Sequence, residues 1–262
     1  MSANDDRPIR TRREPPPFRR ARVASTEHLS AHMLRVVVAG DALDGFAIES
    51  PASSVRLLLP PDGGDELVMP VWTGNQFELP DGRRAPIRTF TPRYFDPDRS
   101  ALTLDVVLHD HGAATEWARR TVVGDEVAIS GPGRSEPLPA DARSHLLVGD
   151  ESAVPAIGQL LEAIPADHVV DVHAEVRGAD ARIDLPAHPN ASVNWHHAVA
   201  NAAPGDSMIA AVGAIADLPD AVWVAGEAAA VQRIRKHLFD GRGRARDTVT
   251  ARGYWKLGRA AT

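Results

Sequence analysis

An antiparallel β-barrel followed by a smaller parallel-sheet α/β domain is the architecture predicted by this sequence of 262 residues. Three observations predict it. From about Arg22 to Ser130, short β-branched runs such as MLRVVVAG and SSVRLLL are separated by Gly, Pro and Asp clusters, the rhythm of an antiparallel barrel or sandwich. After about Asp141 the texture changes to short buried strands alternating with helical patterns, the βα alternation of a parallel sheet. Between the two lies GPGRSEPLPADAR, rich in Pro and Gly and poor in apolar residues, which marks the boundary.

Taken in order, residues 1–21 read as a flexible leader. Seven arginines between Arg7 and Arg22 face one acid, Glu14, and are interleaved with Pro15, Pro16 and Pro17. Residues 22–141 form the barrel. Within it, GAATEWARRTV places good helix formers after a glycine, so a short helix near Ala114 to Arg120 interrupts the strands. Residues 142–262 form the α/β domain, in which HLLVG, VVDVHAEV and AVWVAGE are strands, while SAVPAIGQLLEAI and AAAVQRIRKHLF are helices.

Composition excludes several classes of function. Hydrophobic residues at 44% and charged residues at 24% describe a folded globular chain, neither disordered nor collagen-like. A net charge of −6 argues against a nucleic-acid binder. No apolar run approaches the roughly 18 to 20 residues that span a bilayer. The charged start has no apolar core of a secretory signal, so a cytoplasmic location is expected. With no cysteine there is no thiolate nucleophile, Cys-ligated zinc or cysteinyl iron–sulfur cluster, and redox chemistry requires a bound cofactor.

Four constellations carry chemistry. Arg88, Thr89, Phe90 and Thr91 place a guanidinium, a ring and hydroxyls along one strand, a set suited to a phosphorylated aromatic cofactor. His109 and the stretch Gly112, Ala113, Ala114, Thr115, Glu116, Trp117 lead from a strand into a helix start, whose free N–H groups favour an anion. Gly149, Asp150, Glu151, Ser152 and Ala153 turn a buried strand into a helix that carries Pro155 in its first turn, so a dinucleotide can approach the backbone although GxGxxG is absent. Gly226 and Glu227 end a second strand beside the same expected pocket.

Other pairings lead nowhere comparable. His109/His111, His196/His197 and His28/His32 lack a third ligand at recognisable spacing, so no metal is expected. Ser152 lacks a GxSxG setting. Asp150 and Glu151 are adjacent rather than opposed, which suits shaping a loop.

In order and spacing these motifs, with the tail Gly253-Tyr254-Trp255-Lys256-Leu257-Gly258, resemble the siderophore-interacting protein family of ferric-siderophore reductases, a branch of the ferredoxin-reductase-like flavoenzymes. The resemblance runs from about Val23 to Gly258. It implies that Arg88 pairs with the FAD pyrophosphate, Phe90 packs against the flavin, and Thr91 hydrogen-bonds near flavin N5 as the residue nearest catalysis. His109 and Gly112 to Thr115 would hold ribose and pyrophosphate, with Trp117 near the adenine or in the core below it. Phe90 stands where the family has Tyr, and Ala113-Ala114-Thr115 where it has Pro-Ala-Ser. Both departures point to a weaker hold on FAD.

The same resemblance implies a reduced nicotinamide site at Gly149 to Ala153 and Gly226-Glu227, with Trp255 of the tail at the cofactor. Arg177, and less directly Arg182, stand where a cation would meet a 2′-phosphate, which favours NADPH over NADH. A ferredoxin is an alternative electron donor. The substrate would be a ferric siderophore, steered by a cationic rim for which Arg56, Arg134 and Lys256 are candidates. Two rival functions share these features: a general flavin reductase feeding a partner protein, and a siderophore-binding protein without turnover.

Overall fold

The computed structural model describes residues 15–258 apart from 62, 63, 65, 111, 134 and 136. The first domain contains β1 (Arg19–Ser30), β2 (Met33–Ala39), β3 (Val55–Leu58), the small hairpin β4 (Val71–Trp72) and β5 (Phe77–Glu78), β6 (Ile87–Phe90), β7 (Pro92–Asp96), β8 (Ala101–Val107), α1 (Ala113–Arg120) and β9 (Glu126–Ser130). Seven of the strands form one antiparallel sheet in the order β6-β3-β9-β1-β2-β8-β7. Its two edge strands, β6 and β7, are consecutive in the chain and separated by Thr91 alone. A sheet whose opposite edges are one stretch of chain must curl on itself, and the predicted antiparallel barrel takes this form.

Period-two alternation puts Val36, Val38, Leu102, Leu104, Val127 and Ile129 inside, and Trp117 and Ala118 of α1 join this core. The sheet begins earlier than the expected leader ends. Arg19 to Ala21 pair with Ile129 to Val127 of β9, because Ala21 and Val23 supply the inward face while Arg20 and Arg22, alternating with them, point out. Phe18 also packs edge-on against Phe77.

The second domain contains β10 (Ser144–Asp150), α2 (Val154–Ala163), β11 (Val169–Val176), β12 (Ala191–His197), α3 (Asp206–Ala214), β13 (Ala221–Glu227), α4 (Ala228–Lys236) and β14 (Val249–Trp255). All five strands are parallel, in the order β12-β11-β10-β13-β14. Leu147, Trp223 and Ala225 face α2, while Leu146, Val148, Val222 and Val224 face α3 and α4. Both faces of β10 and β13 are therefore apolar, as a doubly covered parallel sheet requires. The order reverses at β10, so the crevice beyond the carboxyl ends of β10 and β13 is a topological switch point, where open α/β sheets bind ligands.

The domains meet at a small apolar patch, Met33 and Val107 against Val154 and Ala174. Directional contacts flank it. The buried Arg93 guanidinium forms two hydrogen bonds with Glu162 at 2.7 and 3.0 Å. Gln159 donates to the Pro92 carbonyl at 2.6 Å and accepts from the Ala52 amide at 3.0 Å. The Arg93 hydrogen bonds hold the Glu162 carboxyl below its ordinary range, against the opposing effect of burial. A carboxylate with a lowered folded value stabilises fully above its ordinary pKa, roughly 4.3, and loses that contribution as pH falls toward the folded value. Urea unfolding midpoints should accordingly be flat from neutrality to about pH 5 and fall below it, with a shallower fall in Glu162→Gln. An equal fall in both proteins would detach this pair from acid stability.

Candidate functional site

The continuous run through β6 and β7 sets the first half of the site. Register pairs Arg88 with Leu57, Phe90 with Val55, and Thr89 with Arg56. Leu57 and Val55 are fully buried, so Arg88 and Phe90 share the inner face, while Thr89 and Arg56 are exposed outside. Phe90 packs partly against the barrel core. The half-buried Arg88 donates to the neighbouring Ile87 carbonyl at 2.8 Å, and no carboxylate among the described residues pairs with it. Burial first, and the nearby Arg84 second, lower its pKa. A desolvated guanidinium beside a second cation, without an acid, is a receptor for an anion.

Thr91 is buried at the junction, where its side chain lies beside the Tyr254 phenol of β14. Burial pushes the Tyr254 phenol up to about 12, so it stays protonated at neutral pH. Sequence reading placed Tyr254 in the tail motif but gave it no role. Its signal is the strand alternation of VTARGYW, which separates its face from that of Trp255.

The start of α1 supplies the second element. Gly112 precedes it at φ 119, a left-handed-side conformation that admits glycine, and the first amides of Ala113, Ala114 and Thr115 have no carbonyl within the helix to bond. The Thr115 side chain faces inward, accepting from the His109 amide at 3.0 Å and approaching the Val107 carbonyl at 3.5 Å. Its hydroxyl thus shapes the turn. Trp117 lies wholly in the barrel core, which decides between the two positions expected for it: the core, with no face open to an adenine. His111 and Arg134 lie outside the described residues.

At the switch point the acids build the scaffold. Asp150 accepts at one oxygen from the Ser152 amide (2.9 Å) and hydroxyl (2.5 Å), and at the other from the Glu227 amide (2.8 Å) and the Trp255 indole (2.7 Å). Burial raises its pKa, and these hydrogen bonds oppose the rise. Glu227 caps α4 by accepting from the Ala229 and Ala230 amides. Gly149 and Gly226 are required by crowding: a Cβ on Gly149 would meet that of Ala153 at 2.5 Å, and one on Gly226 would meet the Asp150 carboxylate at 2.5 Å.

Arg177 takes a different place from the one expected. Its guanidinium meets Glu151 at 2.8 to 3.1 Å and donates to the Leu108 carbonyl of the barrel at 3.1 Å, with the His109 ring 3.3 Å away. A carboxylate in fork geometry therefore already occupies the group expected at a 2′-phosphate. Arg182 instead approaches the His197 ring at 2.9 Å. His109 also approaches the Trp255 ring, centroids 6.2 Å apart.

The site thus brings together Arg88, Phe90, Thr91, His109, the start of α1, the Gly149 to Ala153 turn, Gly226, Glu227 and Trp255. Arg56 stands apart on the outer face of β3, and Lys256 is exposed beside Trp255. Among the described residues no group of three His, Asp or Glu could hold a metal ion. His32 contacts Asp180 at 3.1 Å, and His196 contacts His173 at 2.8 Å. No helix among them is long and apolar enough to cross a membrane.

Comparison with known proteins bears on this geometry. A family described as siderophore-interacting FAD-binding domain matches residues 22–136, and one described as siderophore-interacting protein matches residues 142–258. The chain is 32% identical over 243 residues to an NADPH-dependent ferric-chelate reductase of Escherichia coli, covering 91% of this chain and 92% of that one. It is 31% identical over 242 residues to the ferric vibriobactin reductase ViuB of Vibrio cholerae, covering 89% and 87%. A solved siderophore utilization protein from T. fusca superposes with a TM-score of 0.83 at 30% identity, covering 95% and 96%. The Arg88 cradle fits the FAD that the first family's description names. With its ferredoxin-reductase-like pair of domains, the chain belongs to the siderophore-interacting protein family.

Proposed function

We propose that the protein is an FAD-dependent ferric-siderophore reductase that draws electrons from NADPH and releases iron as Fe(II) in the cytoplasm. The observation that carries this reading is the tail of β14. Tyr254 touches Thr91 in the barrel, and the adjacent Trp255 touches both Asp150 at the switch point and His109 of the barrel. The place suited to a flavin and the place suited to a dinucleotide are therefore contiguous. FAD bound there supplies the conversion of a two-electron donor into single-electron deliveries. Arg88 would neutralise its pyrophosphate, Phe90 would present an apolar edge, and Thr91 would direct a hydroxyl toward the ring, oriented by Tyr254. The matched reductases, acting on ferric vibriobactin and ferric chelates by their names, support the substrate class. The exposed Lys256, beside Trp255, would meet an anionic ferric complex at the rim.

Anaerobic stopped-flow mixing tests this. The flavin band of the FAD-loaded protein should bleach with NADPH faster than with NADH, and recover on adding a ferric siderophore. Thr91→Ala should slow bleaching roughly 10- to 100-fold with FAD retained, the effect of losing one oriented hydrogen bond near the reacting centre. Bleaching by neither nucleotide would point to a protein donor such as a ferredoxin and remove the dinucleotide role of the Gly149 to Ala153 turn.

A further inference from the structure

The apolar patch between the domains is small, and apolar contact is non-directional, so it resists separation without fixing rotation. Beside it lies a cavity of about 300 Å³, lined by Arg35, Arg93, Tyr94, Asp105 and Glu162 among others, which leaves this flank of the interface without close packing. What crosses it is polar and directional. Gly158, Gln159 and Glu162 occupy one face of α2 and meet the strand that begins one residue after Thr91. The Arg93 side chain is only 5% exposed and lies flat on Gly158, where a Cβ would stand 3.1 Å from its Nη2. Its fork grips Glu162, which the Tyr94 hydroxyl also reaches at 3.1 Å. Gln159, buried, holds two separate segments of barrel backbone, Pro92 and Ala52.

The position of this clamp gives it leverage. Pro92 is bonded directly to Thr91, and α2 grows out of the Asp150 to Ala153 turn. Six residues of helix, about 9 Å, separate Ala153 from Gln159. A rotation of α2 at the clamp therefore moves the switch-point turn relative to Thr91. Reaction between two bound groups depends steeply on such spacing, with about 100-fold lost for a misplacement near 1 Å.

We propose that Arg93, Gln159 and Glu162 form a clamp that sets the angle between the two domains, and that Arg93 is thereby a positioning residue for transfer between the two sites. This rests on the function proposed above. The chain lacks cysteine, so two introduced cysteines can be labelled without background. Val123 in the barrel and Val199 in the second domain are 67% and 64% exposed and suit Val123→Cys and Val199→Cys. Spin labels at these positions, measured by double electron–electron resonance in the apoprotein, should give one narrow distance distribution, broadened in Arg93→Met and in Gln159→Met. Flavin reduction at saturating NADPH should fall about 10-fold or more in the same variants, with the KM for NADPH and the affinity for FAD changed by less than about threefold. Arg93→Lys, which keeps the charge but not the fork, should fall between. If Arg93→Met does not fold, Glu162→Gln, with its part-exposed side chain, carries the same expectations. An unchanged distribution overturns the clamp, and a broadened distribution with an unchanged rate overturns the positioning role. Absence of flavin reduction by nucleotides in the parent protein would defeat the functional reading and the positioning role together. The apoprotein distances would still decide the clamp.

Discussion

Arg88→Met should weaken FAD binding roughly 10- to 100-fold, because a hydrogen bond to a charged group contributes about 1.5 to 3 kcal/mol and each 1.4 kcal/mol is a factor of ten. The same substitution should leave the apoprotein as stable as before, or more so. Arg88 is half-buried beside Arg84 with no carboxylate partner among the described residues, so its charge is a liability until an anion arrives. Opposite signs for cofactor affinity and apoprotein stability distinguish a ligand-binding arginine from one that holds the strand in place. Fluorescence quenching on FAD titration and urea unfolding of the apoprotein measure the two. Unchanged affinity would place the pyrophosphate elsewhere, and a clear loss of apoprotein stability would make Arg88 part of the framework.

The second large effect concerns the switch point. Gly226 sits at φ 146, and a Cβ there would lie 2.5 Å from the Asp150 carboxylate. Gly226→Ala must strain the backbone and also displace a buried carboxylate that holds Ser152, Glu227 and Trp255 together. Strain of this kind costs about 1 to 3 kcal/mol and each lost buried hydrogen bond about 1 more, so a destabilisation near 3 kcal/mol is expected. Gly45→Ala is the control. Gly45 lies at φ 68 with nothing within 4 Å, and the substitution should cost about 1 kcal/mol. Equal losses in urea unfolding would show that backbone conformation alone governs Gly226.

The division into a barrel and a parallel-sheet domain was legible because turn residues and apolar runs change period near the boundary. Barrel closure through Thr91 was not, because β6 and β7 belong to opposite edges of a sheet whose order no local pattern encodes. Strand β12 has no legible sequence signal for a related reason. Its exposed Ser192, half-buried Asn194 and His196 lie at the sheet edge and carry no apolar run. Within the site, the motifs located the right turns but not the duties of their side chains. Asp150 and Glu151 join the scaffold through partners distant in sequence, Trp255 and Arg177, whereas Ser152 bonds Asp150 two residues away. Arg93, at the end of the same motif, shows no role in the sequence because its partner, Glu162, lies 69 residues away.

Because Thr91 is the single residue between the first and last strands of the barrel sheet, the sheet has a seam rather than two independent edges. Open strand edges are where chains exchange partners and aggregate. Here neither edge can peel away without dragging the other through the same residue, and Tyr254 of the second domain lies against that residue. A molecule bound across Arg88 and Thr91 would lace the seam shut. Cofactor loading would then act as a guard against strand exchange while the protein waits for its substrate, quite apart from any electron it carries.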